Sequence, residues 1–277
     1  MTLRSTRDLL WEHLRELPAF RSLIRVIEGR LLLEAGPLPP PLLDIGCGDG
    51  HFAGVFFPGA AVGIDLDLPK LRQAAGRRAY RHLGAASASR LPFRDASFAT
   101  VLANCALEHI PALQETLGEI GRVLRPGGTF VFTVPNDRHN RNLAVARLLE
   151  SCRMPRLASA YREWFRTVQV HVHMYTAAEW TARAEAAGLR VVTSREYLSP
   201  RATAALELGH YLGWHNVVSE KLFGRWVLFP WRPLFGLTER ALARLVEEDG
   251  GPGSSCIFFV ATRPKGSLPP RRPQPGP

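Results

Sequence analysis

The chain has 277 residues, an apolar share of 46% and a formal net charge of +10 at pH 7. This length and apolar share favour one α/β domain with added helices over a disordered chain or two full domains. The charge suits an acidic partner such as nucleic acid or an anionic membrane surface, although solubility alone also explains it.

The apolar runs and the cysteines indicate the cellular compartment and the membrane topology. The apolar runs fall short of the roughly 20 residues that a spanning helix needs, and the first residues lack the apolar core of a signal peptide. The four cysteines form no CxxC pair, as expected of free thiols in a reducing compartment. These features predict a cytoplasmic protein, with peripheral contact to a membrane left open.

The first elements in chain order are helical. Apolar spacing predicts two amphipathic helices over residues 5–35, divided near Pro18. The proline-rich segment 36–41 should then link this N-terminal helical cap, residues 1–35, to a main domain over residues 36–262. Residues 263–277 are rich in proline, arginine and glycine, and we expect them to be disordered.

Strand and helix patterns alternate through the main domain. The predicted strands cover residues 42–45, 60–64, 82–86, 98–103, 129–134, 189–192 and 256–261. This alternation is typical of a mostly parallel sheet with helices on both faces. Two insertions, residues 136–170 and 198–255, are longer than a minimal sheet requires. We expect both on the substrate side, the second as a helical lid before the last strand.

A glycine-rich loop follows the first predicted strand and carries the sharpest signal. The stretch Asp44-Ile-Gly-Cys-Gly-Asp-Gly50 lets a ligand approach the backbone beside a helix N-terminus, although a tight turn alone would also use glycines. A dinucleotide site is disfavoured, because His51 stands where its third glycine belongs. Asp65 ends the second strand at the spacing of an acid that binds ribose hydroxyls, the alternative being a helix N-cap.

Three further motifs follow in order. They are Leu91-Pro-Phe with Ser97-Phe98, then Leu107-Glu-His-Ile110, then Leu124-Arg-Pro-Gly-Gly128. Together with the glycine loop they resemble class I S-adenosylmethionine-dependent methyltransferases, in the small-molecule (type 11) branch. The resemblance implies a Rossmann-like, seven-stranded fold and S-adenosyl-L-methionine as cofactor.

The resemblance also implies which residues contact the cofactor. In the family, the acid before the glycines helps to organise the ammonium end, and the pair before Leu-Pro-Phe lies near the adenine. Here that pair is Ser87-Ala88, where the family usually has Asp-Ala, so a charged contact is lost. The predicted cofactor residues are Asp44, Gly46, Cys47, Gly48, Asp65, Leu66, Ser87, Ala88 and Asn104.

Histidines near the expected site are candidates for catalysis and acceptor binding. His109 follows the fourth strand, where it is either an acid-base residue or a helix-start histidine bonded to backbone. In an extended segment, His171, His173 and Tyr175 share one side and are candidates for lining the acceptor pocket, with a solvated turn as the alternative. A metal site is not expected, because no third ligand stands at an obvious spacing.

Two motifs that the sequence lacks restrict the chemical class of the acceptor. No Asn/Asp-Pro-Pro-aromatic motif follows the fourth strand and no Pro-Cys pair exists, which disfavours amino-group methylation of bases and carbon methylation of pyrimidines. Aromatic residues interleaved with bases over residues 211–237 fit an apolar acceptor pocket, a membrane interface or plain core.

The sequence therefore predicts a methyltransferase acting on a small apolar or lipid-like acceptor, with O-methylation favoured. An RNA methyltransferase, a non-catalytic cofactor-binding subunit and a nicotinamide-dependent oxidoreductase are the alternatives. Nucleic acid is not the expected partner, since no RNA-binding module is recognised.

Overall fold

The computed structural model describes residues 5–59, 61–248 and 250–266. Its contacts divide the chain into two compact units. We call Leu32–Asp137, Val170–Arg195 and Ile257–Pro277 the sheet unit, and Met1–Leu31, Arg138–Gln169 and Glu196–Cys256 the helical unit.

The strands form one seven-stranded sheet in the order β3-β2-β1-β4-β5-β7-β6. The β1–β2, β1–β4, β2–β3 and β4–β5 pairs are all parallel. This arrangement confirms the predicted seven-stranded α/β fold. The strands are β1 Leu42–Ile45, β2 Ala61–Asp65, β3 His82–Ala85, β4 Phe98–Asn104, β5 Leu124–Pro135, β6 Arg190–Tyr197 and β7 Cys256–Thr262.

Helices occupy most of the intervening chain. They are α1 Thr6–Leu14, α2 Ala19–Glu34, α3 His51–Phe56, α4 Leu68–Arg77, α5 Leu113–Val123, α6 Ala144–Ser151, α7 Pro155–Gln169, α8 Ala177–Ala186, α9 Pro200–Leu212, α10 Trp214–Phe223 and α11 Gly236–Glu247. Among the described helices, none is both long enough and apolar enough to cross a membrane.

Apolar packing defines the core of the sheet unit. All four residues of β1 are buried, as expected of a central strand covered on both faces. Phe132 of β5 stacks on Phe130, two residues away on the same face, with ring centroids 4.7 Å apart. It also stacks at 4.6 Å on Phe259 of the adjacent strand β7. The strands β2 and β4 both pair with β1 in parallel, so the carboxyl ends of these three strands lie together at one edge of the sheet.

A buried ion network fixes the segment before β4. Arg122 of α5 is 1% exposed, and its guanidinium contacts the carboxylates of Glu119 at 2.6 Å and Asp95 at 2.8 Å. It also donates to the backbone carbonyls of Leu91 and Phe93, while Glu119 accepts from the Leu91 N–H. Such complete pairing offsets the cost of burying charge. The Leu-Pro-Phe motif is therefore held by α5.

The helical unit is also organised around a buried carboxylate. Glu207 of α9 is fully buried and accepts hydrogen bonds from the Ala144 and Val145 N–H groups at the start of α6. The Tyr161 hydroxyl donates to the same carboxylate at 2.5 Å. Negative charge at a helix N-terminus is favourable, so Glu207 joins α6, α7 and α9.

The C-terminal boundary predicted from composition is wrong at Arg263. This residue, placed in the disordered tail, is 3% exposed and donates to the Leu124 carbonyl at 2.7 Å. Its backbone N–H also bonds to the Gly128 carbonyl, so ordered structure continues past β7. Residues 267–277 of the predicted tail lie outside the described residues.

Candidate functional site

The glycine loop lies between β1 and α3 and has the backbone conformation that its sequence requires. Gly46, Gly48 and Gly50 all have positive φ, at 71°, 55° and 75°. A Cβ added at Gly46 would lie 2.7 Å from the Ala106 Cβ, whereas one added at Gly48 would meet nothing within 4 Å. Gly46 thus permits close packing against the loop after β4, and Gly48 faces open space that a ligand can occupy.

Asp65 at the end of β2 is tied to this loop. Its carboxylate accepts hydrogen bonds from the Gly48 N–H and from the Asp67 N–H, both at 2.9 Å. A carboxylate has about four acceptor positions, so two remain for ligand hydroxyls. Asp67 instead caps α4, accepting from the Lys70 N–H at 3.1 Å. The two neighbouring acids therefore have different structural roles.

Asp44 contacts a residue that the sequence did not indicate. Its carboxylate is 4% exposed and accepts a 2.6 Å hydrogen bond from the Tyr80 hydroxyl. Burial, followed by the nearby Asp44 charge, raises the pKa of Tyr80 far above its usual value, so this hydroxyl remains a donor. Asp44 and Tyr80 are 36 positions apart, and no local spacing pattern relates them.

Cys47, inside the glycine loop, is a packing residue rather than a nucleophile. Burial, followed by the charges of Asp44 and Asp65, raises the pKa of its thiol well above the ordinary value. A Cβ added at Gly63 would lie 3.0 Å from the Cys47 sulfur, which shows how closely β2 packs against the loop. A neutral, buried thiol has little nucleophilic reactivity.

The other predicted cofactor residues lie at the ends of β2, β3 and β4. Leu66 follows Asp65 with 71% of its side chain exposed, whereas Ala88 belongs to the buried core. The Ser87 hydroxyl lies 2.9 Å from that of Ser89. The Asn104 amide oxygen accepts from the Thr133 hydroxyl at 2.9 Å. All four are in the sheet unit. Leu66 follows β2, Ser87 and Ala88 follow the adjacent strand β3, and Asn104 ends β4, which is adjacent to β1.

His109 ends a short 3-10 helix, Leu107–His109, that follows β4. Its Nδ1 lies 2.9 Å from the Val170 carbonyl oxygen. A carbonyl only accepts hydrogen bonds, so Nδ1 carries a proton, while Nε2 lies 3.8 Å from the Glu108 carboxylate. The backbone bond that the sequence suggested as an alternative is therefore present.

The segment 170–175 is docked beside His109. The Val172 and His173 N–H groups both donate to the Glu108 carbonyl, at 2.8 and 3.1 Å. His173 bonds through Nε2 to the Ile110 carbonyl and through Nδ1 to the Tyr175 hydroxyl, each at 3.0 Å. His171 instead lies beside His109, with ring centroids 5.5 Å apart and ring planes tilted by 38°.

Glu108 completes a group that the sequence analysis missed. One ligand atom from each of Glu108, His109 and His171 lies within 4.8 Å of the others. Glu108 supplies the third potential ligand that sequence spacing did not show, and the expectation of no metal site stays a prediction. Glu108 lies 63 positions before His171, so no local spacing relates these two residues. It belongs to the Leu-Glu-His-Ile motif, in which the sequence predicted a role for His109 alone.

Comparison with known proteins identifies the family. The family model for a methyltransferase domain matches residues 10–194. A malonyl-[acyl-carrier protein] O-methyltransferase of Pseudescherichia vulneris is 38% identical over 97 residues, which cover 34% of this chain and 39% of that relative. The match thus spans about two fifths of the relative's length.

Solved structures match over more of the chain at lower identity. An S-adenosylmethionine-dependent methyltransferase of Thermotoga maritima gives a TM-score of 0.55 at 15% identity, covering 88% of this chain and 91% of that one. The [4+2]-cyclase SpnF gives 0.53 at 18% identity, covering 86% and 80%. At these identities the likeness shows the fold alone.

Proposed function

The chain belongs to the class I S-adenosylmethionine-dependent methyltransferases, and from this premise we propose that it methylates an oxygen atom of a small, apolar or lipid-like acceptor. The observation that carries the proposal is the pairing of an open glycine loop with two acids. Asp44 and Asp65 lie near the carboxyl ends of adjacent parallel strands, at the edge where ligands of such sheets bind.

The loop and its acids fit the cofactor's chemistry. S-adenosylmethionine supplies an electrophilic methyl group on a sulfonium. The free acceptor positions of Asp65 suit the ribose hydroxyls, and the Asp44 charge, held by Tyr80, suits the ammonium group. We assign the exposed Leu66 side chain to an apolar contact with the adenine, and Ser87, Ala88 and Asn104 to its surroundings.

The acceptor side of the proposal rests on His109. In-line methyl transfer requires a well-placed nucleophile and exclusion of water. A hydroxyl acceptor must also lose a proton, and in its neutral form the His109 ring, which donates through Nδ1, can accept one at Nε2, whereas a carboxylate acceptor needs no base. The relative named as a malonyl-[acyl-carrier protein] O-methyltransferase supports an oxygen acceptor. His171, His173 and Tyr175 remain proposed acceptor-side residues.

The cofactor site is tested by calorimetric titration with S-adenosylmethionine and its demethylated product. We expect one saturable site whose affinity Asp65→Asn lowers ten- to a hundredfold, because a hydrogen bond to a charged group contributes about 1.5–3 kcal/mol. Asp67→Asn is the matched control, since Asn and Asp are equally good N-caps. Equal affinity in all three proteins, or no binding by the folded wild type, would overturn the assignment.

Acceptor chemistry is tested with cofactor labelled on the methyl group. Malonyl thioesters and apolar phenols and alcohols are incubated separately with the full chain. A base-labile labelled product indicates a methyl ester from a carboxylate, and a base-stable one indicates an ether from a hydroxyl. Incorporation into RNA instead, or cofactor binding with no transfer to any oxygen acceptor, contradicts the proposal.

We also propose that the aromatic segment 211–237 contacts an anionic lipid surface. Five of its aromatic side chains are exposed, namely Tyr211, Trp214, Phe223, Phe229 and Trp231. Two others are packed within the helical unit: Trp226 lies under the Arg21 guanidinium, and Phe235 contacts Trp11. The exposed Lys221 and Arg225 lie among these rings. Apolar side chains flanked by bases are typical of a helix lying at a membrane interface.

Vesicle sedimentation tests this surface. We expect binding to vesicles that contain phosphatidylglycerol, weaker binding to pure phosphatidylcholine, and a roughly tenfold loss for Phe229→Ser, whose ring is 77% exposed. Val192→Ser is the control, because Val192 is 60% exposed but lies on β6. Equal loss in both variants, or no sedimentation of the wild type, would contradict a lipid contact here.

A further inference from the structure

Glu108, His109 and His171 bring two imidazoles and one carboxylate together in the sheet unit. The facing atoms Glu108 Oε1 and His109 Nε2 are 3.8 Å apart, and a His171 nitrogen completes a set within 4.8 Å. Around a tetrahedral ion with bonds of about 2.0–2.1 Å, ligand atoms lie about 3.4 Å apart. Small side-chain rotations would therefore bring all three onto one ion.

Backbone contacts already orient these ligands. The His109 Nδ1–H bond to the Val170 carbonyl orients the ring so that, in its neutral form, the lone pair is on Nε2, the atom that faces Glu108. Metal-binding histidines typically donate their second N–H to a backbone carbonyl or carboxylate in this way. The Val172 N–H also bonds to the Glu108 carbonyl, and this contact holds the neighbouring residue His171 close to Glu108. Backbone groups of residues 170 and 172 thus orient the three ligand side chains.

Burial of the cluster is uneven. Glu108 is 2% exposed, whereas the His109 side chain is 41% exposed. A cation beside a buried carboxylate offsets the cost of burying its charge. The exposed side of the cluster leaves room for a further ligand from solvent.

We propose that Glu108, His109 and His171 form a binding site for a divalent transition-metal ion, Zn²⁺ in the first instance, with an open position for an oxygen ligand. Two histidines and a glutamate with an open fourth position are a donor set of zinc enzymes. The open position accepts water or, in a step that rests on the proposed function, the acceptor's oxygen. With the ion bound, His109 Nε2 is a ligand and no longer a base, so the ion would take over from His109 in favouring loss of the acceptor's proton. The ion itself requires neither cofactor nor acceptor to bind.

The first measurement is Co²⁺ and Zn²⁺ binding to the full, tag-free chain after EDTA treatment. We expect one equivalent of Co²⁺ with visible d–d absorption and no thiolate charge-transfer band, and its displacement by Zn²⁺. Glu108→Gln and His171→Asn should each weaken Zn²⁺ binding by more than about tenfold, since loss of an orienting partner alone costs 10–100-fold. His82→Asn, an exposed histidine on β3, is the control and should bind normally.

A parallel titration with the demethylated cofactor separates this proposal from the previous one. Variants that lose Zn²⁺ but still bind that product are folded, and they support the metal site. Wild type that binds the product but no metal overturns the metal site and leaves the cofactor assignment intact. Undiminished Zn²⁺ binding in both Glu108→Gln and His171→Asn also overturns it, as does a thiolate band that indicates cysteine ligands.

Discussion

Gly46 and Gly48 are two residues apart with similar backbone angles, yet they face different surroundings. Both adopt the left-handed conformation, in which a side chain is strained. Only Gly46 has a close neighbour, the Ala106 Cβ, because the loop after β4 packs against it. Gly46 therefore serves packing, and Gly48 serves access to the backbone.

This difference gives a prediction for a matched pair of variants. Gly46→Ala and Gly48→Ala should both lose about 1–2 kcal/mol of unfolding free energy from backbone strain. Gly46→Ala should lose about 1–3 kcal/mol more, because its methyl group would lie 2.7 Å from the Ala106 Cβ. Urea denaturation of the two proteins measures the difference. Equal midpoints would show that the loop after β4 moves aside at no cost.

Elements also depend on single buried contacts, as the end of α7 shows. The His139 ring follows β5 in the chain, is 3% exposed and lies 3.0 Å through Nε2 from the Gln169 Oε1 at the last residue of α7. Burial lowers the pKa of His139 from 6.5 to about 4. The folded chain therefore keeps this imidazole neutral where an unfolded chain would protonate it.

The pH dependence follows from this difference. Between pH 6.5 and about 4 the unfolded state binds a proton at His139 and the folded state does not, so stability falls as the pH falls through this window. The loss approaches about 3 kcal/mol at its acid end. His139→Gln should flatten the acid limb of a stability-against-pH profile from chemical denaturation, and His82→Gln should not. An unchanged limb in His139→Gln would assign the acid sensitivity elsewhere, for example to the half-buried His210, whose pKa is also lowered by partial burial.

For the whole molecule, local patterns predicted much of the sheet unit. Strand alternation and the spacing from Gly48 to Asp65 are short-range signals, and both are observed in the structure. Contacts between distant positions were missed, namely Tyr80 with Asp44 and Glu108 with His171. Arg263 was wrongly predicted to be disordered, because the prediction rested on the composition of the whole segment 263–277. Its own guanidinium donates to two buried backbone carbonyls. Periodicity reports secondary structure, but it contains no information on which loops meet.

The Arg122 network has a consequence for how such proteins diverge. The Leu-Pro-Phe motif is held by a guanidinium and two carboxylates that contact no part of the glycine loop in the described hydrogen bonds. A descendant that changed its acceptor would keep this anchor, because its framework depends on it. The changes would fall instead on the proposed acceptor-side residues of the segment 170–175. The Leu-Pro-Phe motif therefore reports the framework of the sheet unit and not the identity of the acceptor.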